Sequence, residues 1–145
     1  MTTLFSRIIA GELPGHVVWE DPGITAFLSI APLRPGHTLV VPREEVDQWT
    51  DADAALLGRC VEVARAIGHG VQRAWGAPRA GLVIAGFEVP HLHIHVAPVW
   101  GTSDFDLSRV EREDDESALE DAAQKLRSAL LELGHEQARG TERRA

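Results

Sequence analysis

The chain has 145 residues, 44% of them apolar, a size and composition that suit one domain with a buried core and no need of disulfides. Its single cysteine, Cys60, has no internal partner, which points to a reducing compartment, the cytoplasm by default, and to a small buried hydrophobe rather than a reactive thiol. A formal charge of −8 without any Lys/Arg stripe excludes a nucleic-acid partner, and no basic leader and no run of about 18 apolar residues is present, which speaks against a signal peptide and a membrane span.

In chain order, "HVVWED" (16–21) and "ITAFLSI" (24–30) are β-rich runs separated by Asp21-Pro22-Gly23, so a hairpin is predicted. "HTLVVP" (37–42) is a third strand ending at Pro42, which cannot donate to a central ladder. From Thr50 the pattern changes. "TDAD" offers an N-cap, and Leu56, Cys60, Val63, Ile67, Val71 and Ala74 recur at steps of three and four, which predicts one long amphipathic helix. Gly68 and Gly70 weaken its last turns, and Gly76 with Pro78 ends it. "GLVIAG" (81–86) and "HLHIHVAP" (91–98) read as two further strands, giving the order β-β-β-α-β-β. After the polar "GTSDFDLSRV", the acids of "EREDDE" (111–116) read as the solvated first turn of a second helix. Leu119, Ala122, Leu126, Leu130 and Leu133 mark its buried stripe, and Gly134 stops it. Residues 1–134 are thus expected to be one domain, and the polar "HEQARGTERRA" (135–145) a disordered tail.

The histidine row carries the chemistry. On a strand His91, His93 and His95 share one face while Leu92, Ile94 and Val96 point to the core. Three readings compete: a solvated face that happens to use histidine, a metal site, and nucleophilic catalysis. Strand residues two apart are separated by roughly 6.6 Å and residues four apart by roughly 13 Å, against Zn–N bonds of about 2.0–2.1 Å. Only neighbours could share a metal, and no Cys-x-x-Cys or His-Glu-x-x-His supplies the remaining ligands. Nucleophilic catalysis suits the row better. The middle imidazole attacks while its neighbours orient it, bind oxygens or serve the leaving group, and imidazole is largely neutral near pH 7. Because water can cleave a phosphoryl-imidazole, phosphorus closes a two-step cycle, and nucleotidyl or phosphoryl transfer without metal or cofactor is the preferred reading.

"HLHIHVAP" resembles the His-x-His-x-His motif of the histidine triad (HIT) superfamily, and "PGHTLVVP" (35–42) resembles the strand before its long helix. With "FSRIIAGELP", "WED" and "AFLSIAPLRPGH", the likeness runs from about Leu4 to Trp100 and is nearest the Hint-like nucleotide hydrolase branch. Ile94 stands where galactose-1-phosphate uridylyltransferases have proline, which argues against that branch. The resemblance implies an α+β fold: a five-stranded antiparallel sheet with one long helix, here with an additional C-terminal helix, and usually a homodimer. It implies that His93 captures the nucleotide phosphorus, that the His91 carbonyl holds one of its ring nitrogens, and that His95 and His37 surround the phosphate. Phe5, Ile8, Leu13 and Phe27 match base-pocket positions, and each reads equally well as ordinary core.

The departures are specific. Ser29 before Ile30 replaces the ribose-binding Asp, so a charge-assisted bond becomes a neutral one about half as strong. "IAGFEVPH" (84–91) is a shortened loop with Phe87 where Gln would fall and Glu88 in place of Ser or Thr. A carboxylate there repels phosphate unless it points away or the leaving group brings a cation. The N-terminal Cys-x-x-Cys of some members is absent, which removes their structural zinc, and Glu45-Val46 replaces a His-Ile pair. Trp100 is read as interface or site cap, and His16, His69 and His135 as inert. The expected activity is release of a nucleoside 5′-monophosphate, purine before pyrimidine, from a phosphoramidate, anhydride or ester. A dinucleoside-polyphosphate hydrolase and a catalytically weak nucleotide-binding module stand as alternatives.

Overall fold

Asp21 shows how the chain starts its sheet. Strand β1 (Val17–Glu20) meets β2 (Ile24–Leu28) across a turn in which the Asp21 carboxylate accepts the amides of Gly23 and Ile24 at 2.9 and 2.8 Å. β3 (Thr38–Pro42), β4 (Arg79–Val83) and β5 (Ile94–Val99) complete a five-stranded antiparallel sheet in the order β1-β2-β3-β5-β4. With helices α1 (Leu4–Ile9), α2 (Ala54–Trp75) and α3 (Glu116–Glu132) the architecture is α+β, as expected. The structure is a computed structural model and describes residues 2–138.

Alternation along the strands sets up two cores. Val18, Ala26, Val40, Ile94 and Val96 face α2 and α3, where they meet Ile67, Val71, Leu126 and Leu130. Val17, Phe27, Leu39 and Val41 face the other way, under Phe5 and Ile9 of α1. β2 and β3 are buried on both faces, which is why their sequences run apolar without alternation. In this register His95 lies opposite Leu39, on the α1 side of the sheet rather than beneath the long helices.

The long helix is capped by Asp53, whose carboxylate accepts the Leu56 amide at 2.8 Å, and it ends at Gly76 in the left-handed conformation, φ 65°. Cys60 is fully buried within it, and burial pushes its thiol up to about 11, so it is a core residue. α3 crosses α2 at Gly70, and its Arg127 guanidinium donates to the Val17 carbonyl. Among the described residues no helix is long and apolar enough to cross a membrane.

Three expectations need correcting, and one short helix adds to the expected order. α1, only six residues long, has too little periodicity to be read from sequence. β4 covers 79–83 rather than 81–86, because its ladder with β5 runs from Arg79↔Val99 to Val83↔His95 and stops there. Residues 111–115 precede α3 rather than open it, since Asp115 is the capping residue. His135–Ala138 are not a loose tail: the Gln137 carbonyl accepts the Glu20 amide at 2.9 Å, Ala138 is buried, and His135 sits 5.4 Å from the Trp19 ring. Residues 139–145 lie outside the described part.

Candidate functional site

A cavity of about 360 Å³ opens on the α1 side of the sheet, within the roughly 300–1,000 Å³ range of small-molecule sites. Leu4, Phe5 and Ile8 come from α1, Phe27 from β2, and Ser29 and Ile30 from the loop after it. His37, His93, His95 and Glu88 form its polar end. The cavity is therefore apolar along one stretch and imidazole-lined at the other, and among the described residues no Lys or Arg lines it.

The hydrogen bonds fix which nitrogen of each ring carries the proton. The Leu33 amide donates to His37 Nδ1 at 3.0 Å, so His37 holds its proton on Nε2. That Nε2–H faces His95 Nδ1 at 2.9 Å and donates to it, which leaves the His95 proton on Nε2. His95 Nε2 has no partner among the described residues, so one buried N–H donor is aimed at the cavity. Burial, then the neighbouring imidazole, lowers His37 to about 3 and His95 to about 4, so both stay neutral at pH 7.

His93 is arranged in the opposite sense. Its Nδ1–H donates to the His91 carbonyl at 2.7 Å, which leaves a lone pair on Nε2. Phe5 packs edge-on at 4.9 Å and the His95 ring lies 5.1 Å away, so the ring is held on two sides. One free acceptor nitrogen and one free donor nitrogen thus stand side by side. A site of this kind can attack an electrophile while hydrogen-bonding an atom attached to it.

His91 does not line the cavity. Its ring is fully buried, with Nε2–H donating to the Pro42 carbonyl at 2.7 Å and Nδ1 accepting from the Thr3 hydroxyl at 2.6 Å. Thr3 Oγ1 also caps α1 by accepting the Ser6 amide, and the Thr3 amide and Ser6 hydroxyl both donate to Glu45 Oε1, at 2.9 and 2.6 Å. Those two bonds hold the Glu45 carboxyl below the usual range. Thr3, Ser6, Glu45 and His91 therefore tie α1 to the segment that carries the His93 acceptor. The expected alternation holds, with Leu92, Ile94 and Val96 in the core beneath the long helices and His91 and His93 against Phe5 on the other side, but β5 begins only at Ile94, so the His91 carbonyl lies before the ladder and accepts from His93.

The structure gathers Phe5, Ile8, Phe27, Ser29, Ile30, His37, Glu88, His93 and His95 around the cavity. Leu13 is not among the lining residues; the turn through Gly11, φ 83°, presents Pro14 and Gly15 instead. Ser29 Oγ accepts the Ala31 amide at 3.1 Å, so part of its hydrogen-bonding capacity stabilises its own loop. Glu88 is exposed, with Oε1 4.0 Å from His93 Nε2, and Phe87 is 91% exposed and outside the wall. Sequence reasoning missed Thr3, Leu33, Leu107 and Val110. Leu33 acts through its backbone and leaves no side-chain signal, whereas Leu107 and Val110 are, with Phe105, the apolar residues inside a polar connection.

Glu88, His93 and His95 each bring one ligand atom within 4.8 Å of the others, the arrangement a metal would need. The tautomers do not fit a resident ion. His95 would have to move its proton to Nδ1, where it would oppose the His37 Nε2–H, and the Leu33 amide prevents His37 from yielding.

Comparison with known proteins agrees with this geometry. The HIT domain model matches residues 10–100. An uncharacterized HIT-like protein of Borreliella burgdorferi is 35% identical over 73% of this chain and 81% of its own. Among solved structures, a Zn-bound histidine triad family protein from Mycobacterium smegmatis superposes with a TM-score of 0.79 at 26% identity, covering 92% of this chain and 96% of that one. A hypothetical histidine triad nucleotide-binding protein from Sulfolobus tokodaii gives 0.75 at 28%, covering 89% and 92%. A HIT family hydrolase from Legionella pneumophila gives 0.57 at 31%, covering 66% and 91%.

Proposed function

This chain belongs to the HIT family, and on that premise we propose that it is a nucleotide hydrolase or transferase that releases a nucleoside 5′-monophosphate through a nucleotidyl-histidine formed on His93. The observation that carries the reading is the pairing of tautomers: an unprotonated His93 Nε2 beside the His95 Nε2–H. In the first step the His93 Nε2 lone pair forms a bond to the α-phosphorus, and the bond from phosphorus to the leaving atom breaks. The departing atom takes up a proton from water while the His95 N–H hydrogen-bonds it or a phosphate oxygen. The ring then carries a positive charge on the side where its Nδ1–H meets the His91 carbonyl, which stabilises it. In the second step water bonds to phosphorus, gives up a proton, and His93 leaves unchanged.

The apolar stretch suits a nucleobase, with Phe5 and Phe27 as flat or edge-on partners, and Ser29 stands near for the sugar. The likeness to a nucleotide-binding protein and to a hydrolase supports both halves of the reading. Among leaving groups, a wall that holds Glu88 and, among the described residues, no Lys or Arg disfavours a polyphosphate and favours an amine joined through a P–N bond. The same lack of cationic partners favours, as a second reading, a nucleotide-binding module of low catalytic power. For assembly we propose a homodimer paired through β4, one of the two edge strands, whose Leu82 is 49% exposed; the sedimentation of a single protomer mass would refute it.

The test is a panel of nucleoside phosphoramidates, anhydrides and dinucleotides assayed with a chelator present, with quenched reactions analysed by mass spectrometry. Turnover with a nucleotide adduct on His93, abolished in His93→Ala, is the expected result. Nucleotide binding without any adduct or turnover would leave the binding module, and undiminished turnover by His93→Ala would overturn the mechanism.

A further inference from the structure

The segment from Gly101 to Asp115 lies beyond the residues matched by the domain model, yet it reaches the cavity. It is pinned at both ends. At its start the Asp104 carboxylate accepts the amides of Trp100 and Gly101 at 2.7 and 3.1 Å and the Arg34 guanidinium at 2.7 Å, and Arg34 also covers the Trp100 ring at 5.2 Å. The Phe105 ring lies so close to Gly81 that any side chain there would collide with it, and it approaches the His37 ring at 6.3 Å. At its far end the Glu113 amide donates to the Ile30 carbonyl at 2.7 Å, immediately before the Asp115 cap of α3.

Between these anchors Leu107 and Val110 are the residues that line the cavity, and both are only half-buried. They share the wall with Leu4, Phe5, Ile8 and Phe27, and none of the strap's charged side chains is part of that wall. A half-buried aliphatic side chain on the rim of an apolar cavity has contact area left for a ligand, and covering it yields binding free energy in proportion to that area.

We infer that Leu107 and Val110 are specificity-determining residues: the strap closes the base end of the cavity and selects a flat aromatic base of purine size by apolar contact. This rests on the nucleotide reading given above. The imidazole end is built by His37, His93 and His95, with Phe105 of the strap beside His37, so it is Leu107 and Val110 that act on base affinity. It also means that the C-terminal part of the chain completes the site from within the same protomer.

Titration calorimetry with AMP, UMP and ribose 5-phosphate, on the parent, Leu107→Ala/Val110→Ala and Val110→Phe, tests this, with thermal melts to show that each variant is folded. The double variant is expected to weaken AMP roughly tenfold and to leave ribose 5-phosphate within twofold, because only apolar area has been removed. Val110→Phe is expected to narrow the wall and reverse the order of AMP and UMP. If the parent binds AMP and both variants bind it as the parent does, the strap is only a structural cover and the inference is wrong. If the parent binds ribose 5-phosphate as tightly as AMP, or binds no nucleotide, the nucleotide reading itself fails and this inference falls with it.

Discussion

Glu88 is the residue whose chemistry runs against a phosphate site, and it is also the easiest to test. Its carboxylate is exposed but lies 4.0 Å from His93 Nε2, the nitrogen proposed to attack phosphorus, so its interaction is screened and worth on the order of 1 kcal/mol. Glu88→Gln is therefore expected to raise kcat/KM roughly fivefold for an anionic leaving group and to lower it for one bearing an ammonium; an unchanged ratio between the two would show that the side chain plays no part in selection. Thr3 makes the complementary case for a positioning residue. Thr3→Val leaves the buried His91 Nδ1 without a donor, at a cost of about 1–3 kcal/mol, and loosens the carbonyl that orients His93. Thermal melts and kcat should both fall, with Thr3→Ser restoring both; a loss of stability with kcat intact would assign Thr3 to folding alone. The histidine row is legible in the sequence because three imidazoles at alternate positions concentrate a chemistry that a merely solvated strand face does not need. The tautomers are not, since they depend on the Leu33 amide and on the Pro42 and His91 carbonyls, backbone groups whose partners only the tertiary fold decides.

Two glycines of α2 show how an element's own preference and its packing pull apart. Gly58 is exposed with open space around its Cα, so Gly58→Ala is expected to stabilise by about 1 kcal/mol through helix propensity and a stiffer unfolded chain. At Gly70 an added methyl would come within 2.8 Å of Leu130 and 2.9 Å of Leu126, both fully buried, and overpacking of about 1–3 kcal/mol outweighs the same propensity gain. Urea titrations of the two variants should thus move in opposite directions; if both stabilise, α3 can retreat from α2 and the contact is soft. Gly68 and Gly70 look like helix-weakeners in sequence, whereas in the fold Gly70 lets α3 approach and the helix runs on to Trp75. Long periodic elements such as α2 and α3 can be read directly. α1 and the limits of β4 and β5 cannot, because six residues carry little periodicity and the ends of a ladder are set by the partner strand.

At the scale of the whole molecule, burying His37 and His95 in neutral form makes the fold sensitive to acid. Their folded values are lowered, mainly by burial, to about 3 and about 4 from the 6.5 of a free imidazole, and His91 is lowered too, with burial outweighing its bond to Pro42 and the nearby Glu45. Between those values and 6.5 the unfolded chain binds protons that the folded chain refuses, so stability is complete above 6.5 and declines as pH falls. Each histidine contributes a slope of about 1.4 kcal/mol per pH unit, so the pair removes roughly 2–3 kcal/mol on going from pH 6 to pH 5. The carboxylates held low by hydrogen bonds, Asp21, Glu45 and Glu120 among them, act in the same direction only at lower pH, where free carboxyls titrate. The decline above pH 5 therefore belongs to the imidazoles. Urea midpoints measured from pH 7.5 to 4.5 are expected to follow this slope in the parent and to flatten in His37→Gln/His95→Gln, even though that variant starts from a lower stability. A parent whose midpoint stays level from pH 6.5 to 5 would mean that these rings accept protons inside the fold, and the neutral donor relay from Leu33 through His37 to His95 would then be wrong.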